Sequence, residues 1–315
     1  MQWFAQAPAN IALIKYMGKK DSINNTPINS SLSFTLNNLL SSVTLETQSG
    51  KKDFWEPLPA PGAKNLILSQ PAQARFLQHL VRIKKHFNYA GAFVVRSSNN
   101  FPHSSGLASS ASSFAALTKC AVLALSELTK SAPPSIDVQA QLSRMGSGSS
   151  CRSFFAPWVL WQHDSVAAID LPYPELIHQV IVISHEVKSV SSSDAHQRVL
   201  TSKLYPNRSQ RAEQNLKVLL NALQSSDWDS AHQICWREFQ DMHQLFVTSS
   251  PSFSYMSTQS NEALTRVQQL WQREGDGPIV TMDAGPNIHL LYRPDQIDMA
   301  HKFQQDFLTG NYDVI

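Results

Sequence analysis

Apolar and polar residues alternate along this chain with a period that changes several times, and each change marks an element. The run "APANIALI" at residues 7–14 is almost unbroken in its apolar character and stops at Lys15, which predicts a buried strand. Residues 42–47, 92–97 and 165–171 also read as strands. Phe76, Leu80, Ile83 and Phe87 share one helical face and predict a helix over 73–87. Phe114, Ala115, Ala116, Leu117, Cys120 and Ala121 predict a second helix. From about His178 the texture changes. "HQVIVIS" is a buried strand, and three helical patterns follow, marked by Leu216, Leu219, Leu220 and Leu223, by Trp236, Phe239 and Met242, and by Leu264, Val267, Leu270 and Trp271. The strands "PIVTM" and "IHLLYR" flank the turn "DAGPN", and a last helix begins near Gln296. The layout is α+β in two lobes, residues 1–177 and 178–315. Residues 51–64, rich in proline and lysine, read as a surface excursion.

Composition narrows the class. A length of 315 residues suits two domains or one large one. With 26 Lys and Arg against 24 Asp and Glu, the net charge of +2 argues against a nucleic-acid partner. No run approaches the roughly 18 apolar residues of a membrane span, so no membrane is expected. The start of the chain lacks the pattern of a signal peptide. Cys120, Cys151 and Cys235 are far apart and carry no metal-ligand spacing, and no H-E-x-x-H is present. A reduced, cytoplasmic compartment and no zinc site are the expectation.

Four stretches carry polar groups that a core would not want. In "APANIALIKYMGKKD" the strand ends in Lys15, Tyr16, Lys19, Lys20 and Asp21, and Asn10 inside the apolar run needs buried partners. A solvated face is the plain alternative for the lysines. "PHSSGLASSASSFAAL", residues 102–117, puts six serines and Gly106 where a helix begins. One serine suffices for a cap. Six, with a glycine that lets the backbone approach closely, also fit an anion at a helix N-terminus, with a hydroxyl facing magnesium. The stretch is not a P-loop, since no G-K-[ST] follows. In "RMGSGSSCRS", glycines expose N–H groups, and arginine supplies a fork for carboxylate or phosphate. Arg144 is placed on the rim of the site and Arg152 inside it. In "TMDAGPN", Asp283 is either a turn-forming residue or a carboxylate aimed at a substrate hydroxyl. Two anion cradles, two lysines and one isolated carboxylate suit phosphoryl transfer from a nucleotide to an anionic acceptor.

In order and spacing the four stretches resemble the signature of the mevalonate diphosphate decarboxylases, within the GHMP kinase superfamily, across residues 7–291. The resemblance implies the GHMP kinase fold, with a ribosomal-protein-S5-like N-terminal lobe, a ferredoxin-like C-terminal lobe and the site in the cleft. It implies ATP-dependent decarboxylation of mevalonate 5-diphosphate to isopentenyl diphosphate, with Mg2+, by a homodimer. By the same resemblance, Asp283 acts on the C3 hydroxyl, Arg152 holds the carboxylate beside Asn10, and Lys15 reaches phosphate oxygens near the reacting centre. Tyr16, Lys19, Ser147, Ser149 and Ser192 contact the acceptor. Pro102, Ser104, Ser105, Gly106, Leu107, Ala108, Ser109 and Ser110 form the ATP-phosphate cradle, with Ser109 and Ser110 toward the metal.

The chain also departs from that signature. Met17 replaces a tryptophan, and Ala156 and Pro157 replace a diglycine. In "VKSVSSSDAHQRVLTS", Ala195 stands for a glycine and His196 for a methionine, next to the acceptor's phosphate end. His196 either adds charge to the site or is a surface histidine. Two alternatives follow: a decarboxylase of mevalonate 5-phosphate or a kinase of the same fold, and a non-catalytic GHMP-fold ligand-binding protein. Lys15, Arg152 and Asp283 together argue against a pure kinase, and the serine loop argues against a silent binder.

Overall fold

The computed structural model describes residues 1–59, 67–101, 109–186 and 188–315. Strand β1 (Gln2–Ile14) pairs antiparallel with the long β4 (Ser31–Gln48), and the register slips at Pro8, which has no N–H for the ladder. Between them, β2 (Lys19–Asp21) and β3 (Thr26–Pro27) form a small hairpin that carries Lys19. β4 also pairs with β6 (Ala92–Asn99) through residues 41–48 and with β7 (Trp158–Gln162) through residues 31–34. β8 (Ser165–Ile169) follows β7 as a hairpin, and β5 (Phe54–Pro57) adds parallel to β6.

Helix α1 (Gln70–His86) and helix α2 (Ser109–Thr129) cover one face of this sheet, with α3 (Ile136–Gly146) beside them. Phe76, Leu80 and Ile83 of α1 and Phe114, Leu117 and Ala121 of α2 meet Val43, Leu45, Phe93 and Val95 there. By length and composition α2 passes for a membrane-crossing helix, but two-thirds of its apolar window is buried inside the protein, as in a core helix.

A second, antiparallel sheet has the order β10 (Ile279–Met282), β11 (Ile288–Tyr292), β9 (Ile177–Val182) and β12 (Asp313–Val314). It is accompanied by α4 (Ser192–Arg198), α5 (Arg208–Gln224), α6 (Trp228–Val247), α7 (Thr258–Glu274) and α8 (Ile297–Phe303). α7 opens with a Ser257–Ser260 capping box and ends at Gly275, whose φ of 66° is left-handed. The two halves share a core. Ile11, Leu13, Leu32 and Phe34 of the first sheet pack with Leu216, Leu219 and Leu223 of α5 and with Ile234 and Cys235 of α6. That shared core fixes the relative position of the ends of β1 and β10.

The strand expected at 42–47 is only the last part of β4. Its first part hides from a hydropathy reading because Ser31, Ser33 and Thr35 are small hydroxyls buried in the sheet. Helix α3, with Ser135 as its N-cap, and strand β7 were not anticipated as elements, although "FFAPWVLW" reads as apolar. The excursion expected at 51–64 contains β5, an added edge strand, and residues 60–64 lie outside the described residues.

Candidate active site

β1 delivers Lys15 into a cleft of about 380 Å3 between the halves. Its backbone is clamped by residues distant in sequence. Glu238 Oε1 on α6 accepts the Lys15 N–H at 3.0 Å, and the Lys15 carbonyl accepts from Arg208 Nη2 at 3.2 Å and from Asn29 Nδ2 at 3.1 Å. Arg208 and Glu238 are fully buried and paired with each other, so neither charge is left alone in the core. Lys15 Nζ then reaches Asp283 Oδ1 at 2.7 Å. Asp283 lies in the turn from β10 to β11, and its carbonyl accepts from His243 Nε2 at 3.2 Å.

The Asp283 side chain is 26% exposed whereas that of Lys15 is 2% exposed, so the carboxylate faces the cleft and the ammonium backs it. Burial pushes the Asp283 carboxyl up, but the Lys15 charge and hydrogen bond, with Arg152 behind, outweigh it and hold the group below its ordinary value. Burial lowers the Lys15 ammonium, and the Asp283 carboxylate offsets part of that. The carboxylate is therefore ionised near neutral pH.

Arg152 enters from a 3-10 segment, Gly148–Phe154, and is buried. Its Nε donates to Asn10 Oδ1 at 3.0 Å and its Nη1 to Ser31 Oγ at 2.7 Å. Asn10 in turn donates to Ser153 Oγ at 2.9 Å and to the Ser149 carbonyl at 3.3 Å. This answers why an amide sits inside the apolar run. Nε and Nη1 are thereby engaged, and among the described residues Nη2 makes no hydrogen bond.

Tyr16, Lys19, Ser147 and Ser149 line the same cleft. The Tyr16 ring lies between Trp161 and His196, with centroids at 4.8 and 4.6 Å, and its hydroxyl donates to the Asn25 carbonyl at 3.1 Å. Gly148 meets that ring so closely that a Cβ there would lie 2.6 Å from it. Ser192 accepts from Lys188 Nζ at 2.8 Å. Ser109 and Ser110 open α2 at the cleft, and Ser147 Oγ is 3.4 Å from Ser110 Oγ. Pro102, Ser104, Ser105, Gly106, Leu107 and Ala108 lie outside the described residues.

Two expectations are corrected. Arg144 does not line the cleft: it is buried and pairs with Asp164 at 3.0 Å. His196 is neither a surface residue nor a charge. It is 8% exposed, and burial, then Lys19 and Arg75, lower its pKa to about 3. Other lining residues escaped the sequence reading. Arg75 on α1 binds the Gly146 carbonyl through Nη2 at 2.8 Å, and Lys188 donates to the Ala284 carbonyl at 2.6 Å.

The donor set fits a metal-bound polyphosphate. Hydroxyls and a helix N-terminus meet lysine and arginine side chains in one cleft. Among the described residues no three His, Cys, Asp or Glu side chains cluster for a metal. A cation here would rest on serine hydroxyls and on the nucleotide's own phosphate oxygens, an all-oxygen set of the kind magnesium takes.

A mixed sheet lobe and a smaller antiparallel lobe, with a serine-rich helix start facing a carboxylate across their cleft, define a protein of the GHMP kinase fold. Two family descriptions match the chain: the diphosphomevalonate decarboxylase-like N-terminal domain over residues 7–169 and the mevalonate 5-diphosphate decarboxylase C-terminal domain over residues 178–313. The chain belongs to the diphosphomevalonate decarboxylase family. It is 33% identical to the diphosphomevalonate decarboxylase of Gibberella zeae, over 93% of this chain and 81% of that protein. The crystal structure of a mevalonate diphosphate decarboxylase from Legionella pneumophila is 64% identical, with a TM-score of 0.95 over 100% of both chains. The structure of MDDEF in complex with MVAPP, AMPPCP and magnesium is 28% identical, with a TM-score of 0.88 over 100% of this chain and 96% of that one.

Proposed function

We infer that this chain catalyses the ATP-dependent decarboxylation of mevalonate 5-diphosphate, giving isopentenyl diphosphate, ADP, phosphate and carbon dioxide. The observation that carries the reading is the Lys15–Asp283 pair, 2.7 Å apart and facing Arg152 in one cleft. Asp283 orients the C3 hydroxyl of the acceptor and takes its proton as the γ-phosphoryl group of ATP is transferred. Arg152 holds the acceptor's carboxylate through the guanidinium hydrogens that Asn10 and Ser31 leave, a charge-assisted contact that keeps the C–C bond to be broken in one orientation. Lys15, paired with Asp283, neutralises charge on the phosphate that leaves with carbon dioxide. Tyr16, Lys19, Ser147, Ser149 and Ser192 hold the acceptor's diphosphate end. Ser109 and Ser110, with Pro102, Ser104, Ser105, Gly106, Leu107 and Ala108, hold the ATP phosphates. Magnesium, when bound, supplies charge neutralisation between phosphate oxygens, with Ser109 and Ser110 as its protein ligands.

The reading includes a lobe boundary near residue 178 and a cytoplasmic homodimer. The three cysteines support a reduced compartment, since each is free and buried. Light scattering after gel filtration tests the dimer. The function is tested by measuring ADP and carbon dioxide release with mevalonate, its 5-phosphate and its 5-diphosphate. Equal amounts of both products with the diphosphate are expected. ADP without carbon dioxide would make the protein a kinase, and turnover confined to the monophosphate would change the acceptor.

A further inference from the structure

His196 lines the cleft and has no part in the machinery above. It stands on α4, yet its Nδ1 accepts the N–H of Gly18 at 3.0 Å, 178 positions earlier in the chain. Gly18 cannot be exchanged to release it, because its φ is 100° and a Cβ there would lie 2.7 Å from Ile28 and 2.8 Å from Tyr205. A ring nitrogen that accepts carries no proton, so the neutral imidazole must carry its proton on Nε2. The ring is neutral, since burial, then Lys19 and Arg75, keep its pKa at about 3. Nε2 has no protein partner among the described residues, while the ring lines the cleft beside Tyr16, Lys19, Arg75 and Ser147. The only carboxylate among the described lining residues is Asp283, and Lys15 already holds it. This corner therefore presents two cations, a serine hydroxyl and one oriented neutral donor, and among the described lining residues no free carboxylate takes that donor.

We propose that His196 is a specificity-determining residue for the anionic end of the acceptor, donating from Nε2 to a phosphate oxygen in the corner formed by Lys19, Arg75 and Ser147. The inference rests on the function proposed above. It also accounts for the geometry of the departure. The Gly18 contact fixes both the tautomer and the ring plane, so the donor is pre-aimed and costs little ordering on binding. A methionine in this position would fill similar space and donate nothing.

The experiment compares wild type with His196→Met and His196→Gln. His196→Met should raise the KM for mevalonate 5-diphosphate about tenfold or more, as for a lost hydrogen bond to a charged group. The kcat and the KM for ATP should stay within about twofold, and His196→Gln, which keeps a donor, should recover most of the loss. An unchanged acceptor KM in His196→Met, or a loss spread equally over kcat and the KM for ATP, overturns the proposal. Calorimetric titration with inorganic diphosphate reads the corner without any turnover: His196→Met should bind it correspondingly more weakly, and equal binding overturns the proposal. If neither variant folds, the Nε2–H resonance of His196 in the wild type should move when inorganic diphosphate is added, and its failure to move counts against the proposal. A wild type that binds inorganic diphosphate but does not turn over the diphosphate ester sinks the functional reading and leaves the histidine to be judged by the titration.

Discussion

Lys15 Nζ and Asp283 Oδ1 lie 2.7 Å apart although 268 residues separate them in the chain. Each is held by its backbone. Lys15 is clamped by Glu238, Arg208 and Asn29, and Asp283 by a carbonyl contact to His243. The pair is thus a product of the packing of α6 against the end of β1, and it sets the position of Asp283, the one carboxylate among the described residues that line the cleft.

Removing that carboxylate's charge while keeping its shape isolates its role. Asp283→Asn should leave the binding of ATP and of the acceptor nearly intact and cut turnover by about 10³-fold. ADP release at a near-normal rate by this variant would show that another group handles the hydroxyl proton.

Ser110 opens α2 at the cleft, with its hydroxyl near that of Ser147. Ser110→Ala should therefore act on the nucleotide side, raising the KM for ATP or lowering turnover. An effect confined to the KM for the acceptor would mean that the start of α2 faces the wrong substrate. Both constants from one steady-state matrix decide it.

How much of this site could be read beforehand depended on whether a residue looked out of place locally. Asn10 and Arg152 did: one interrupts an apolar strand, the other ends a glycine–serine stretch, and the two bind each other. Asp283 was visible because it sits between a strand and a glycine turn, although a turn role explained it as well. Arg75 gave no such signal, since an arginine on an amphipathic helix reads as a solvated face; only the packing of α1 beside α3 brings it to Gly146. His196 was misjudged for the same reason. Nothing local to "SSDAHQR" says that the N–H of Gly18 meets it. The fold was legible where the period was clean, as in α5, α6 and α7, and illegible where buried hydroxyls stand in for apolar residues, as in the first part of β4.

Lys188 predicts an alkaline limb. Burial outweighs the nearby Asp283 carboxylate and lowers its pKa to about 8. Its charge is present below that pH and lost above it, so kcat/KM for an anionic acceptor should fall as pH rises through about 8. A bound anion favours the charged lysine, so the limb in kcat should lie at higher pH than the limb in kcat/KM. Lys188→Arg keeps the charge at all these pH values and should flatten the profile. An unchanged limb in that variant assigns it to another group.

Gly148→Ala tests the acceptor wall. The added methyl would lie 2.6 Å from the Tyr16 ring, which cannot retreat because Trp161 and His196 flank it. Such overpacking costs about 1–3 kcal/mol. A lower Tm and a higher acceptor KM are expected together, and a variant with neither change would mean that the ring has room to move.

Arg152→Lys separates charge from geometry. In the wild type, Nε and Nη1 are tied to Asn10 and Ser31, which fixes the plane of the guanidinium. A lysine keeps the positive charge but has one nitrogen, which cannot satisfy Asn10 and Ser31 and also grip both oxygens of a carboxylate. Truncating one member of a buried, hydrogen-bonded charge pair costs about 2–5 kcal/mol, and the lysine variant should lose somewhat less. The loss should appear in carbon dioxide release at saturating ATP. Arg144→Lys is the control. Arg144 faces Asp164, which is largely exposed, and does not line the cleft, so that variant should keep most of its activity. Thermal melting confirms that both variants fold before rates are compared. If Arg152→Lys matches wild type, the arginine only braces Asn10 and Ser31, and the acceptor's carboxylate must have a different partner, with Lys15 the first cation to test next.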